Sequence, residues 1–174
     1  MLLIRQECAG DAEVIAALHA VAHTDTDIRV PALVGELRKG SAWIPQLSLV
    51  AVENDDIVGH VLGTRSSVGG RDLPAIALAP LGVRPDRRGR GIGYALCSAA
   101  IATADAAGES LLGICGPAEF CARAGFVPAA DYRIDWSGPA ELYVRALNAY
   151  QPAFRGEFHY AAEFGAPVPQ QPVG

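Results

Sequence analysis

An arginine- and glycine-rich segment at residues 83–93, V-R-P-D-R-R-G-R-G-I-G, carries the clearest chemical signal in this sequence. Its glycines, Gly89, Gly91 and Gly93, can adopt φ > 0 and allow a ligand to approach the backbone closely. The apolar run before the segment predicts a strand, and the Ala-rich run after it predicts a helix. The N-terminus of a helix offers unpaired N–H groups and a positive dipole end. The segment therefore predicts a site for a phosphate or a diphosphate.

The charge distribution points to the same segment. The chain has a net charge of -5 and a pI near 5.3, yet residues 84–90 contain four arginines and one aspartate. Nucleic acids and anionic membranes are bound by broad basic surfaces, so the acidic balance argues against both as main partners. A local site for a small anionic ligand is compatible with it.

Two common phosphate-binding motifs do not fit these residues. A Rossmann fingerprint requires an acidic residue about 20 positions on, at the end of the next strand. That strand is predicted to end here at Cys115, and no acidic residue lies at its end. The Walker A motif requires a Gly-Lys-Ser/Thr sequence, and the segment contains none.

The run Arg88-Gly89-Arg90-Gly91-Ile92-Gly93 resembles the acyl-CoA-binding motif [QR]-x-x-G-x-[GA] of the GCN5-related N-acetyltransferase (GNAT) superfamily. Val83-x-Pro85 before the run and Ala-Gly-Phe at 124–126 extend the resemblance, which covers most of the chain. Three further stretches are similar to the bacterial YhbS-like subgroup: LSLVAVENDDIVGHVLGTRSSV, LAPLGVRPDRRGRGIG and HYAAEF.

The resemblance implies an α/β GNAT fold, in which a mixed central β-sheet is flanked by helices in a single domain. The domain would cover residues 1–164, followed by a Pro-rich, flexible tail at 165–174. The implied activity is transfer of an acetyl group from acetyl-CoA to a primary amine by direct attack in a ternary complex. Three alternatives are an acyltransferase for a longer acyl-CoA, a non-catalytic CoA-binding regulator and, less compatible with the charge, a nucleic-acid-binding module.

The resemblance also assigns the residues that would bind the co-substrate. The pyrophosphate would lie on backbone N–H groups of the motif: Arg88, Gly89, Arg90, Gly91, Ile92 and Gly93. The pantetheine arm would pair with the end of the preceding strand at Leu81, Gly82 and Val83. An N–H group near Val83 would polarise the thioester carbonyl, and Gly82 is expected to mark a β-bulge.

The sequence departs from the family at the usual position of the general base, where Pro80 replaces a glutamate. An alkylamine of pKa ~10.4 costs roughly 4.6 kcal/mol to deprotonate at pH 7, whereas an α-amino group of pKa ~8 costs about 1.4 kcal/mol. The acceptor should therefore have a modest pKa, or a base should act from another element. His60, on a neighbouring strand, is the candidate base, with a hydrogen-bonded core histidine as the alternative. His19 and His23 are expected at the surface.

A second departure concerns the general acid, a tyrosine in many members of the family. Cys121 occupies that position here. A thiol of pKa ~8.5 has an acidity similar to that of the leaving CoA thiol, so Cys121 is the candidate acid; the alternative is a small packing residue. The four cysteines show no ligand spacing, so no metal site is predicted.

The remaining sequence must form the elements that position these residues. With 174 residues, 51% of them hydrophobic, the chain can bury one core. It shows no signal-peptide h-region and no membrane-spanning run, so a cytoplasmic location is expected. The partner that the family resemblance implies is a small-molecule or peptide amine, and a homodimer is possible. Strands are predicted at 2–5, 47–53, 57–68, 75–83, 110–115, 126–129, 132–136 and 141–147, and helices at 11–22, 31–39, 91–108 and 117–124.

Overall fold

The computed structural model describes residues 1–25, 27–71 and 73–165, so the predicted flexible tail from 166 onwards lies outside the described residues. The strands are β1 (Leu2–Gln6), β2 (Trp43–Glu53), β3 (Asp56–Val68), β4 (Leu73–Val83), β5 (Leu111–Cys115), β6 (Val127–Pro128), β7 (Ile134–Asp135), β8 (Leu142–Ala146) and β9 (Gly156–His159). The helices are α1 (Ala12–Ala22), α2 (Val30–Lys39), α3 (Ile92–Ala106) and α4 (Ala118–Arg123). None of them is long and apolar enough to cross a bilayer.

The strands form one mixed sheet in the order β1-β2-β3-β4-β5-β8-β6, with β9 added on β3 and β7 on β9. Neighbours along the main path are antiparallel except β4 and β5, which are parallel and are connected through α3. A parallel pair needs such a crossover, and the βαβ unit supplies it. The fold class predicted from the sequence, a mixed sheet flanked by helices, is confirmed.

Helices cover both faces of the sheet because its central strands are apolar on both sides. Successive side chains of β4 point to opposite faces, so Leu81 and Val83 pack in the cluster that contains α3. Gly82 faces α1, since a Cβ built on it would lie 3.2 Å from the Ala22 methyl. The α1 and α2 layer packs on the sheet through Ile15, Leu18, Val34 and Val50.

The β2–β3 hairpin confirms the turn predicted at residues 54–56. Asn54 and Asp55 have φ of 51° and 67°, the left-handed values of a type I′ turn between right-twisted strands. By contrast, β9 was not predicted, because its four residues show no alternating pattern on their own.

The centre of the sheet opens beyond the middle of β4. The register gives only two β4–β5 pairs, Ile76 with Leu112 and Ala77 with Gly113, after which the two strands part. On its other edge β4 stays paired with β3 as far as Val83. The strand opening is defined as the space between residues 78–83 of β4 and the end of β5. Along it, one backbone edge of β4 has no strand partner within the part of the chain that the structure describes.

The β-bulge expected at Gly82 lies instead two to three residues earlier. The pairing of β3 with β4 shifts between Val61–Leu81 and Gly63–Leu78, so β4 holds one extra residue in this stretch. Pro80 lies there, and proline has no N–H to donate to a ladder, which explains why the irregularity is at this position. Gly82 itself is in regular register opposite His60.

We predict that Gly113→Ala destabilises the fold at the point where β4 and β5 part. An added Cβ would lie 2.7 Å from the Phe158 ring carbon Cζ, so either the buried ring or the β5 backbone would have to shift. Overpacking of this kind costs about 1–3 kcal/mol, measurable by denaturant unfolding.

Gly10→Ala is the matched control, since nothing lies within 4 Å of a Cβ at that position. Equal unfolding free energies for the two variants would contradict the packing of Phe158 on Gly113.

Candidate functional site

The loop between β4 and α3 has the geometry of an anion-binding corner. Gly89 and Gly91 have φ of 72° and 78°, values that L side chains rarely adopt, and no other atom lies within 4 Å of a Cβ built on either. Gly91 is the N-cap of α3, and its carbonyl accepts the first helical hydrogen bond, from the Ala95 N–H at 3.0 Å. The N–H groups of the first turn have no partner within the helix.

The arginines of this loop are largely committed to protein partners. Glu53 at the end of β2 accepts two hydrogen bonds from Arg90, at 2.7 and 2.9 Å, and forms an ion pair with Arg87 at 3.3 Å. Arg84 pairs with Asp86 at 2.9 Å. The excess positive charge that the sequence suggested is therefore partly neutralised by Glu53, which sequence reasoning did not connect with this loop. Backbone N–H groups are left as the main anion donors.

Arg88, the first residue of the motif, turns towards the interior instead of the loop's open side. Its guanidinium donates to the Val83 carbonyl at 3.3 Å and to the Ala22 carbonyl at 2.8 Å. The side chain therefore joins the end of β4 to the end of α1, which fixes the strand opening relative to the helix layer.

A cleft of about 280 Å³ lies beside this corner. Tyr94 of α3 stacks on Phe120 of α4, with ring centroids 4.7 Å apart, and the Arg123 guanidinium lies 4.7 Å from the Tyr94 ring. Among the described residues, no ion pair with an acidic side chain is formed by Arg123, so it presents a cation to the cleft next to Gly89 and Gly91. Sequence reasoning missed Arg123, although it immediately precedes the Ala-Gly-Phe turn.

His60 is fully buried and belongs to a hydrogen-bonded chain. Its Nε2 is 2.9 Å from Ser48 Oγ and 3.6 Å from the Glu7 carboxylate, and its Nδ1 is 2.8 Å from His19 Nε2. Burial lowers the pKa of His60 against the opposing effect of Glu7. His60 pairs with Gly82 in the β3–β4 ladder, and its Nδ1 is occupied by the hydrogen bond to His19. Its role as general base stays a prediction.

His19 and His23, expected at the surface, are buried, and that expectation was wrong. His19 falls on the same helix face as Ile15, four residues earlier, and this face packs on the sheet. Burial lowers the pKa of His19 well below its usual range, and burial together with Arg88 lowers that of His23 to about 4. The signal that could have placed His19 inside was its position in the apolar stripe of α1.

Glu7 is the carboxylate of this network. Burial works against its ionisation, yet interactions with His60, Arg38 and Ser48 lower its pKa to about 2. Arg38 donates to both carboxylate oxygens at 2.7 and 3.1 Å, and the Ser48 hydroxyl donates to Oε2. Glu7 follows β1, so nothing in the local sequence indicated that it would reach His60.

Cys121 is buried in α4, one turn before the Ala-Gly-Phe turn. That turn is closed by hydrogen bonds from the Phe126 N–H to the Cys121 carbonyl and from the Gly125 N–H to the Ala122 carbonyl. Burial raises the pKa of the Cys121 thiol to about 12, so it stays protonated at neutral pH. Its role as general acid stays a prediction. Among residues 1–25, 27–71 and 73–165, no cluster of three or more potential metal ligands is found.

Two sequence comparisons agree with this geometry. The family model of the acetyltransferase (GNAT) family matches residues 18–123, more than half of the chain. Over 100 residues the chain is 36% identical to the uncharacterized N-acetyltransferase YjhQ of Escherichia coli K12. That match covers 56% of this chain and 55% of YjhQ, so the alignment spans about half the length of this relative.

Two solved structures are similar over almost the whole chain. The GNAT family N-acetyltransferase YhbS of Escherichia coli, solved in complex with CoA, superposes with a TM-score of 0.85 at 26% identity, covering 95% of this chain and 93% of YhbS. A GNAT family acetyltransferase from Brucella melitensis, solved with acetyl-CoA, gives a TM-score of 0.79 at 26% identity, with coverages of 94% and 98%. The resemblance to YhbS-like proteins is thus confirmed, and this chain belongs to the acetyltransferase (GNAT) family.

Proposed function

We propose that this acetyltransferase moves an acetyl group from acetyl-CoA to a primary amine by direct attack in a ternary complex. The observation that carries the proposal is the combination of the positive-φ glycine corner with the strand opening directly before it. A diphosphate at the corner and an extended pantetheine arm along β4 fit these two features in the order in which they occur in CoA. The CoA and acetyl-CoA bound by the two similar proteins support the same ligand.

Each part of the co-substrate then has a place on this chain. The diphosphate lies on N–H groups from Arg88 to Gly93, with Arg123 as a nearby cation. The pantetheine amides pair with the backbone edge of Leu81 to Val83 that faces the strand opening, as an added strand would. The N–H near Val83 points to the thioester oxygen, where a donor stabilises the tetrahedral intermediate by about 3–4 kcal/mol.

The proposed reaction proceeds in one covalent exchange. The amine nitrogen forms a bond with the thioester carbon, the carbon–sulfur bond breaks, and CoA leaves as a thiolate that takes up one proton. The amine loses one proton, so the products are an amide and CoA thiol. Pro80 leaves no carboxylate on β4 to remove the proton from a free ammonium ion. The acceptor must therefore be substantially neutral in solution, and a small-molecule or peptide amine of modest pKa fits.

We expect CoA to bind and thiol release to depend strongly on the acceptor's pKa. At pH 7 an amine of pKa ~8 is about 10% neutral, whereas one of pKa ~10.4 is about 0.04% neutral. A panel of amines matched in size should therefore give rates that fall by two orders of magnitude between these pKa values. Thiol release and calorimetric titration of CoA provide the two measurements.

Three other outcomes are informative. Binding of CoA without thiol release from any amine would favour a non-catalytic regulator, consistent with Pro80 and Cys121 at the usual base and acid positions. A faster reaction with longer acyl-CoA esters would favour the alternative acyl donor. Equal rates at pH 6.5 for a lysine-like amine and an α-amine would contradict the modest-pKa acceptor.

We predict that Gly91→Ala weakens CoA binding by roughly 10–100-fold. Alanine avoids φ of 78°, so the N–H groups that start α3 would turn away from the diphosphate, and a hydrogen bond to a charged group contributes about 1.5–3 kcal/mol. Isothermal titration calorimetry measures the change.

Gly108→Ala is the matched control at the other end of α3. Gly108 has φ of 77° and an equally open Cβ position, so both variants should lose similar stability. Equal CoA affinities for the two variants would contradict the placement of the diphosphate at Gly91.

The role proposed for Cys121 gives a separate prediction. If its thiol protonates the departing CoA, Cys121→Ala should lower kcat by about 10²-fold or more, while Cys121→Ser should retain part of it. Cys97→Ala is the control, because Cys97 is a second buried thiol that packs in the same cluster. Unchanged kcat in both Cys121 variants would leave the residue as packing alone.

A further inference from the structure

The buried side chains between β1 and β4 form a hydrogen-bonded chain with a definite direction. The chain runs from Glu7 through Ser48 and His60 to His19, with heavy-atom distances of 2.9 Å for Ser48–His60 and 2.8 Å for His60–His19. We call these four residues the histidine chain. Ser48, His60 and His19 are fully buried, so solvent provides no alternative partners along the chain.

The carboxylate at one end fixes every proton in the histidine chain. Glu7 is ionised and only accepts, so the Ser48 hydroxyl donates its single hydrogen to Glu7. Ser48 Oγ must then accept from His60, which places the His60 proton on Nε2. Neutral His60 therefore accepts at Nδ1, and the donor is His19 Nε2–H. The last lone pair of the chain is left on His19 Nδ1.

That lone pair lies against the end of β4. Among the described residues, His19 Nδ1 has no hydrogen-bond partner although it is buried. A Cβ built on Gly82 would lie 3.0 Å from it, so the absence of a side chain at Gly82 allows this close approach. A buried polar atom normally has a partner. His19 Nδ1 instead faces Gly82 of β4, the residue that pairs with His60 of β3.

We propose that His19 Nδ1 accepts the proton released by the acceptor amine, and that Glu7, Ser48 and His60 hold it in the unprotonated tautomer. The proposal rests on the proposed function, because the amine must attack a thioester bound at Leu81 to Val83. The amine–proton bond breaks and an N–H bond forms at Nδ1. The resulting positive charge is shared along the histidine chain and is balanced by the Glu7 carboxylate, 3.6 Å from His60 Nε2.

The charged surroundings determine when this transfer occurs. Burial, the neighbouring His60, the His23 ring 5.3 Å away and Arg38 of α2 oppose a positive charge on His19, whereas Glu7 and Asp11 favour one on His60. His19 is therefore neutral at pH 7 but a weak base. It is suited to take a proton from the tetrahedral intermediate, whose ammonium group is much more acidic than the free amine, and not from the free ammonium ion. His19 is thus the catalytic group, and the other three are positioning residues.

The tautomers can be measured directly, without activity. The chain has four histidines, and ¹⁵N-labelled histidine with single His→Gln variants for assignment would resolve each ring. We expect His19 and His60 of the intact protein to be neutral at pH 7, both with the proton on Nε2. A proton on Nδ1 of either ring would overturn the proposal, because the direction of the histidine chain would then be reversed or broken.

His19→Gln tests the proton transfer itself. The glutamine amide can still donate to His60 Nδ1, so the hydrogen bond is retained while the basic nitrogen is lost. We expect kcat to fall by about 10²–10⁴-fold with CoA affinity preserved, and the solvent deuterium isotope effect on kcat to change. His159→Gln is the control and should have wild-type kcat, because His159 is an exposed residue of β9.

These experiments distinguish failure of the proton transfer from failure of the proposed acetyl transfer. If the wild type is active and His19→Gln has the same kcat and isotope effect, the histidine chain is not the proton acceptor. The proposal of acetyl transfer is unaffected by that result. A wild type that binds CoA and releases no thiol with any amine would overturn the proposed function and the proton transfer with it.

Discussion

The parting of β4 from β5 is the constraint on which the rest of the site depends. Two paired positions, at Ile76 and Ala77, hold the strands together, and beyond them one backbone edge of β4 faces the strand opening instead of β5. Because α3 connects these two strands, its N-terminus must lie at the mouth of the same opening. A ligand with an extended amide-containing arm and a diphosphate therefore meets both features at once. Backbone N–H groups are the proposed anion donors, so the loop's arginines can pair with Glu53, Asp86 and carbonyl groups instead.

The same end of β4 is also the meeting point of the two helix layers. Arg88 ties the Val83 carbonyl to the Ala22 carbonyl, and Gly82 brings the strand against His19. Leu81 and Val83 pack on the α3 side while Gly82 faces α1. Alternation along a single strand thus places the histidine chain on the α1 face of β4, beside the backbone edge proposed to bind the co-substrate.

Local patterns predicted the elements well and the long-range contacts poorly. The motif glycines, the β2–β3 turn and the Ala-rich α3 are each determined by neighbouring residues, and the structure has them within a few positions of the expected bounds. Glu53 with Arg90 and Glu7 with His60 join residues far apart in sequence, so no spacing rule indicates them. The β-bulge was misplaced because Gly82 seemed the exceptional residue, whereas Pro80, which cannot donate to the ladder, is the stronger local cause. His19 was misjudged by residue type, although its place in the apolar stripe of α1 favoured burial.

Weak basicity at His19 and the missing carboxylate at Pro80 lead to one consistent chemistry. A base strong enough to deprotonate an alkylammonium ion at pH 7 would have to be desolvated less, or paired more closely with an anion, than His19 is. The buried histidine instead stays neutral, and its Nδ1 lone pair, which has no hydrogen-bond partner among the described residues, can accept the proton when the amine attacks. On the proposed mechanism, lysine-like acceptors react slowly, because the pH of the solution leaves only a small fraction of them neutral. Amines that are already partly neutral react fastest. Acceptor selection would then follow from proton affinity before any contact in the acceptor groove contributes to it.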